Sequence, residues 1–441
     1  MKILALVLVL LLGSLSNTSA HASLSTQGTD ALHRATQIYI SAAMCKSVYS
    51  DRSASALNEL KKYYALEEEP IKIASKTIDT TFYLSKIYDK QMQKNLYIIC
   101  FRGSETNKDW KINLKYGKVP YSKQIDNDNV KPTTPLVHEG FLEYTDNALR
   151  QTTSDHQLIT ELLANDTDSD ILITGHSLGG AIATLYTARL IDLGINPNRI
   201  STITFGAPAV GNPAFAEKYK NKFNLLRITA SQDLIAVSLQ KLVGNYTHFG
   251  THIKLSADTR ELDYIDQHNM SFYLNKSIMY FIDALDASVK NSVTPPLVSH
   301  HITPDKPLVA VTISSTDAAQ NLPNDTYLPT LLALQIRNIL PSYLLLPNST
   351  TTAHNIFDNQ SSSSKVQLDS SQIKYLLKLE IDSSDIRLSR NKALILNYSI
   401  VDNTNGHTIA TGYLSSSLSA HTGMLQILLQ NISNLPIDFL L

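Results

Sequence analysis

Ser177 stands between Gly175 and Gly179 in ITGHSLGGAIATLYTARL, residues 173–190, where an apolar run passes into a helical pattern. Those residue types at that spacing suit a nucleophile. A tight strand-to-helix turn forces strained backbone angles on the serine, while small neighbours relieve the crowding and leave its oxygen exposed. The following helix points its N-terminal dipole and free amides at that oxygen, so the Leu178 amide is placed to stabilise an oxyanion. A serine hydroxyl needs a base, and the base needs an orienting carboxylate. Asp233 lies just after the apolar run LLRIT, and His248, His252 and His268 follow it. Together these residues can carry out acyl transfer through a covalent serine intermediate.

Periodicity shows which elements must position them. Over residues 29–48, apolar side chains recur at helical spacing (Ala31, Leu32, Ala35, Ile38, Ala42). Residues 82–88 and 96–101 read as strands, and 140–163 as one long helix. Strand and helix then alternate over 170–174, 178–193, 200–205, 214–220 and 224–229. That alternation predicts βαβ units and a mainly parallel sheet. Asp166, Asp168 and Asp170 are spaced like calcium-loop ligands. The glycine and distal glutamate of such a loop are missing, so the segment reads as a polar turn before a strand.

Near residue 290 the pattern changes. NSVTPPLVSHHITPDKP (291–307) holds four prolines and no periodicity, as a linker does. Beyond it come a strand (LVAVTI), a helix (LPTLLALQIRNIL) and a strand (IKYLLKLEI). A hairpin of ALILNYSIV and HTIATGYLS turns at Asn405-Gly406, and GMLQILLQNISNL closes as a helix. His300, His301, His354, His407 and His421 do not fall at metal-ligand spacings. The expected domains are a signal peptide at 1–22, a catalytic domain at 23–288, a linker at 289–306 and a smaller α+β domain at 307–441. No chemical constellation stands out in the last of these; it is a stability appendage or a surface for an unknown partner.

The compartment follows from the N-terminus. Lys2, an apolar run over 3–12 and Ala20-His21-Ala22 form a signal peptide with its cleavage site, which points to a secreted or periplasmic protein. Asn269 opens an N-x-S site beside His268, where a glycan would obstruct a pocket; the chain reads as bacterial rather than eukaryotic. Cys45 and Cys100, the two cysteines, could pair in an oxidising compartment or stay as buried thiols. With 43% hydrophobic and 17% charged residues, a packed core is possible over 441 residues. A net charge of -1 argues against electrostatic capture of nucleic acid.

Six segments in order carry a resemblance: FRGSE (101–105), VHEGFLEY (137–144), ITGHSLGGAIATL (173–185), TFGAPAVGNPAF (204–215), ASQDLIAVSL (230–239) and HNMSFYL (268–274). Over about residues 30–285 the sequence resembles the class 3 lipases, the family of the secreted fungal triacylglycerol lipases. The resemblance implies an α/β-hydrolase fold with a mainly parallel central sheet. It implies Ser177 as nucleophile, Asp233 as acid, His268 as general base and the Ser104 amide as the second oxyanion donor beside Leu178. YTHFGTHIKL (246–255) resembles the family strand between acid and base, with Tyr246, His248, Gly250 and His252 on one face; His248 is the alternative base. His176 and His138 take packing roles.

The family also carries a lid after FRGS. The matching stretch here places Trp110, Ile112 and Leu114 among several lysines, a basic and modestly apolar lid or an ordinary solvated helix. Asp233 is followed by Leu-Ile-Ala where the family has a proline-containing turn. The implied activity is release of fatty acids from acylglycerols, with a lipid or ester substrate at a lipid–water interface and no metal or cofactor. A phospholipase A1 or A2 would use the same triad. A non-catalytic secreted binding protein on a hydrolase scaffold is the reading from another class.

Overall fold

The computed structural model describes residues 30–49, 65–66, 71–74, 81–89, 93–103, 117–125, 127–234, 236, 244–256, 267–322, 324–346, 356–357, 370–385, 392–417 and 423–440. The signal peptide at 1–22, the oxyanion candidate Ser104 and the lid candidates Trp110, Ile112 and Leu114 lie outside them. Two compact units divide the chain. One comprises residues 40–276 with a short return ending at Gly423; the other comprises the described residues before 40, residues 277–419 and the chain from Met424 onward. No helix among the described residues is long and apolar enough to cross a membrane.

Helix α1 (30–47) belongs to the first unit only from Ile40 onward; in that unit it precedes the strands β1 (Ala65–Leu66), β2 (Ile71–Ala74), β3 (Thr81–Asp89) and β4 (Lys94–Phe101). A two-stranded ribbon follows, of β5 (Lys118–Pro120) and β6 (Leu136–His138), then helices α2 (Glu139–Ala148) and α3 (Ile159–Asn165). The repeating part is β7 (Asp170–His176), α4 (Leu178–Asp192), β8 (Ile200–Phe205), α5 (Pro213–Tyr219), β9 (Asn224–Ala230) and β10 (Thr251–Leu255). Helix α6 (Met270–Lys290) leaves the unit after Lys276.

The sheet order is β1-β3-β4-β7-β8-β9-β10, with β2 also on β3. From β4 to β10 every pair is parallel, and β1, β2 and β4 pair antiparallel with β3. The sheet is therefore mainly parallel, as the alternation predicts. Parallel strands covered on both faces read as continuous apolar runs, and β7 is buried from Ile171 to His176. Helix α4 is apolar almost all round and buried along most of its length, as expected of a helix inside a core rather than on a surface. Tyr186 of this helix packs its ring at a tilt on Phe101, which packs likewise on Phe82, with centroid separations of 5.2 and 5.1 Å.

The expected long helix over 140–163 is two helices. Between them His156 adopts φ 62°, Thr152 bridges to Leu158, and the Thr153 amide donates to the Gln157 carbonyl at 2.9 Å. The run Thr-Thr-Ser-Asp at 152–155 offers short polar side chains that favour turns over a helix interior. The expected strand face through Tyr246 and His248 is also corrected. The strand begins only at Thr251, after Gly250 turns the chain at φ 81°. Cys45 and Cys100 are buried free thiols with their sulfurs 3.8 Å apart. Asp166 accepts from Ser169 and from the Tyr97 hydroxyl and pairs with Lys86, the behaviour of a structural turn.

The second unit holds a six-stranded sheet in the order β11-β13-β12-β14-β15-β16. Its strands are β11 (His300–His301), β12 (Leu308–Ser315), β13 (Tyr343–Leu345), β14 (Ile373–Asp385), β15 (Lys392–Asp402) and β16 (Thr408–Ser417), with helices α7 (Leu328–Ile339) and α8 (Met424–Ser433). Strand β12 runs parallel to β13 and β14, and β14-β15-β16 form an antiparallel meander. The hairpin turns at Gly406, with φ 73° and its amide on the Asp402 carbonyl, the left-handed position that Asn-Gly supplies.

Candidate active site

Strand β7 ends at His176, and Ser177 takes φ 56° and ψ -124° before α4 begins at Leu178. Few non-glycine residues hold such angles, and they cost about 1–3 kcal/mol unless the surroundings impose them. The surroundings do so here. The Ser177 amide donates to Phe205 O at 2.9 Å, and the Ser177 carbonyl accepts from Gly180 at 3.0 Å and Ala181 at 3.2 Å. A Cβ on Gly179 would collide with the Phe101 backbone, so the helix start and the neighbouring strand meet only because that side chain is absent. Leu178 is the first residue of α4, and its amide belongs to the first-turn donors without an intrahelical acceptor.

His268 lies two residues before α6. Its Nε2 is 3.1 Å from Ser177 Oγ, and its Nδ1 is 2.9 Å from both carboxylate oxygens of Asp233. Asp233 follows β9 and its side chain is fully buried. Burial pushes its carboxyl up, but hydrogen bonds from His268 and Tyr273 and the charge of His268 outweigh that and hold it below the ordinary carboxylate value. The three expected residues therefore form one hydrogen-bonded line.

The other histidines stand elsewhere. His248 Nε2 meets Ala236 O at 3.0 Å, and His252 Nε2 meets Thr229 Oγ1 at 2.8 Å. Burial, with Arg227 nearby, pushes the His248 pKa down to about 4. His138 is fully buried at the N-terminus of α2, where Nδ1 accepts the Phe141 amide at 3.3 Å and the ring stacks on Phe141. Asn269 accepts the Ser271 amide at 2.9 Å, which tethers its side chain at the start of α6.

Several residues that support the line lie in or beside the segments that carry the resemblance, but their contacts are not legible there. Tyr273, one turn into α6, accepts from the Ala230 amide at 2.9 Å and donates to Asp233 Oδ2 at 2.6 Å. Gln267, beside the histidine, accepts from the Gln232 amide at 3.0 Å and so ties the loop of Asp233 to the loop of His268. Gly206 has φ 55°, and a Cβ there would stand 2.6 Å from Asp233 Oδ2 and 3.2 Å from His268 Nδ1. The signal for Gly206 was present in TFGAP, but its reason is a contact with residues 27 and 62 positions away, which no local pattern carries.

Residues 98–241 match the family model for Lipase (class 3). Phospholipase A1-II 1 of Oryza sativa subsp. indica is 28% identical over 198 residues, 40% of this chain and 49% of that protein. The chloroplastic galactolipase DONGLE of Arabidopsis thaliana is 28% identical over 216 residues, 41% of this chain and 44% of that protein. Among solved structures, the lipase from Rhizopus microsporus var. chinensis superposes with a TM-score of 0.41 at 21% identity, covering 51% of this chain and 76% of that one. The chain spans about half the length of these curated relatives or less. Over residues 98–241 this chain is therefore similar to the class 3 lipase family.

Proposed function

We propose that this protein is a carboxylic ester hydrolase acting on acyl lipids. The observation that carries the reading is the 3.1 Å approach of His268 Nε2 to Ser177 Oγ, with His268 Nδ1 held on Asp233. In the proposed reaction His268 takes the Ser177 proton as Oγ attacks the ester carbonyl carbon. The oxygen of the tetrahedral intermediate accepts hydrogen bonds from the Leu178 amide and, by family resemblance, the Ser104 amide. The C–O bond to the alcohol breaks, and His268 Nε2–H protonates the departing oxygen. Water then gives a proton to His268 and attacks the acyl-enzyme carbonyl; the bond to Ser177 Oγ breaks, His268 Nε2–H returns its proton to Oγ, and the fatty acid leaves. Asp233 keeps the imidazole in the tautomer with Nδ1–H, leaving Nε2 free to accept.

The substrate class proposed first is acylglycerol. Hydrolysis of polar membrane lipids is the second reading, favoured by relatives that are named phospholipase A1 and galactolipase. The signal-peptide pattern at 1–22 supports action outside the cytoplasm.

A hydrolysis panel tests both readings, with Ser177→Ala beside the parent protein. It runs from short nitrophenyl esters to triacylglycerol, phosphatidylcholine and galactolipid. Serine-dependent release from triacylglycerol supports the first reading, and release confined to phospholipid or galactolipid supports the second. No serine-dependent release from any ester, with the fold intact, rejects both.

A further inference from the structure

Tyr49 lies just beyond α1, 127 residues from His176 in sequence, and its hydroxyl is 2.8 Å from His176 Nδ1. His176 Nε2 is 2.8 Å from the backbone carbonyl of His268. A carbonyl oxygen only accepts, so Nε2 carries a proton and donates. A neutral imidazole then has a bare Nδ1, which accepts the Tyr49 O–H. The His176 ring is buried and its pKa is pushed down to about 3 by that burial and by the neighbouring His268, so the ring stays neutral at ordinary pH. Gly103 also lies against the Tyr49 hydroxyl. A Cβ on Gly103 would collide with that hydroxyl and stand 2.6 Å from the His176 carbonyl.

We infer that Tyr49 and His176 form a positioning bridge that holds the backbone of the base His268 against the chain before Ser177. This inference rests on the hydrolase reading of the same site. The Tyr49 hydroxyl selects the His176 tautomer, and that tautomer supplies the only kind of ring nitrogen the His268 carbonyl can use. Without the hydroxyl, the ring proton can move to Nδ1. Two lone pairs would then face each other at His176 Nε2 and His268 O, and the base would shift. His268 Nε2 already stands at 3.1 Å from Ser177 Oγ, near the limit of hydrogen-bond reach, and a displacement of about 1 Å at such a pair costs on the order of 10²-fold. Tyr49 touches no reacting atom; it acts through His176.

The test is Tyr49→Phe, His176→Gln and their double variant in the full chain. Rates are read with a soluble nitrophenyl ester and with a fluorophosphonate that labels Ser177. Tyr49→Phe should lower kcat and the labelling rate by about tenfold with KM within twofold, part of the misplacement cost. The double variant should be no slower than His176→Gln alone, because the two residues act as one unit. Unchanged kcat and labelling in Tyr49→Phe, or fully additive losses, would overturn the bridge. Nitrogen spectra of the imidazoles give a readout independent of catalysis: His176 should be the neutral Nε2–H tautomer from pH 5 to 8 in the parent protein and lose that preference in Tyr49→Phe. A parent protein that reacts with neither ester nor fluorophosphonate rejects the hydrolase reading, and the spectra still decide the bridge, since an Nδ1–H tautomer in the parent would refute it.

Discussion

The Tyr273 hydroxyl donates to Asp233 Oδ2 at 2.6 Å while accepting the Ala230 amide at 2.9 Å, so one side chain clamps the acid to the end of the strand that precedes it. Tyr273→Phe keeps the ring and removes the clamp. A buried carboxylate that loses a hydrogen-bond donor is destabilised by about 1–3 kcal/mol. The expected outcome is a kcat lower by about tenfold and an Asp233 pKa moved upward. A steady-state pH profile checks it, and an unchanged kcat would show that the contacts Asp233 keeps, with His268 and the Ala236 amide among them, suffice to position it.

Ser177 separates activity from stability. Ser177→Ala removes the proposed nucleophile and should lower kcat by at least ~10⁴-fold. Ser177→Gly does the same but also releases the backbone strain at φ 56°. The glycine variant should therefore unfold at a higher urea concentration than the alanine variant, by about 1 kcal/mol in free energy. Equal midpoints would mean the turn stores no strain.

Gly206 is where the acid and the base leave no room. Gly206→Ala would place a methyl group 2.6 Å from Asp233 Oδ2 and 3.0 Å from the Tyr273 hydroxyl, at φ 55°. We expect kcat to fall by at least ~10²-fold through misalignment of the line, with a stability loss of about 2 kcal/mol. Fluorophosphonate labelling and thermal unfolding read the two effects separately. A variant that labels Ser177 at the parent rate would refute the crowding argument.

Acid should weaken the fold well above the range in which carboxylates titrate. Burial pushes His176 down to about 3 and His138 down to about 4, and burial with Arg227 pushes His248 down to about 4. An unfolded histidine titrates near 6.5. Between about 6.5 and these folded values the unfolded chain binds protons that the folded chain refuses, so stability is full above 6.5 and falls as pH falls. Each histidine contributes up to about 1.4 kcal/mol per pH unit across that window. The depressed Asp233 carboxyl adds its loss lower, as pH falls through its folded value below 3.8. Urea unfolding at pH 7.5, 6 and 5 checks the sign, and a free energy constant over that range would contradict it.

Much of this protein was legible in order along the chain. The apolar run of β7, the small residues around Ser177 and the start of α4 are local features, because a parallel strand buried on both faces must be apolar and a sharp turn must be built from small residues. The strand and helix alternation over 170–230 is legible for the same reason: periods of 2 and 3.6 follow from backbone geometry. The break between α2 and α3 was not, because the apolar pattern runs on through 140–163 while four short polar side chains turn the backbone.

The sequence by itself determined which residue types were available for the chemistry and that Ser177 heads a helix. It left three histidines open on spacing alone, and only the family resemblance preferred His268. Tertiary structure separates them by distance: His268 reaches Ser177, while His248 meets Ala236 O and His252 meets Thr229 Oγ1. It also decided the contacts of Tyr49, His176, Gly206, Gln267 and Tyr273. Each acts through a contact between segments remote in the chain, and the strength of a hydrogen bond depends on separation in space rather than in sequence.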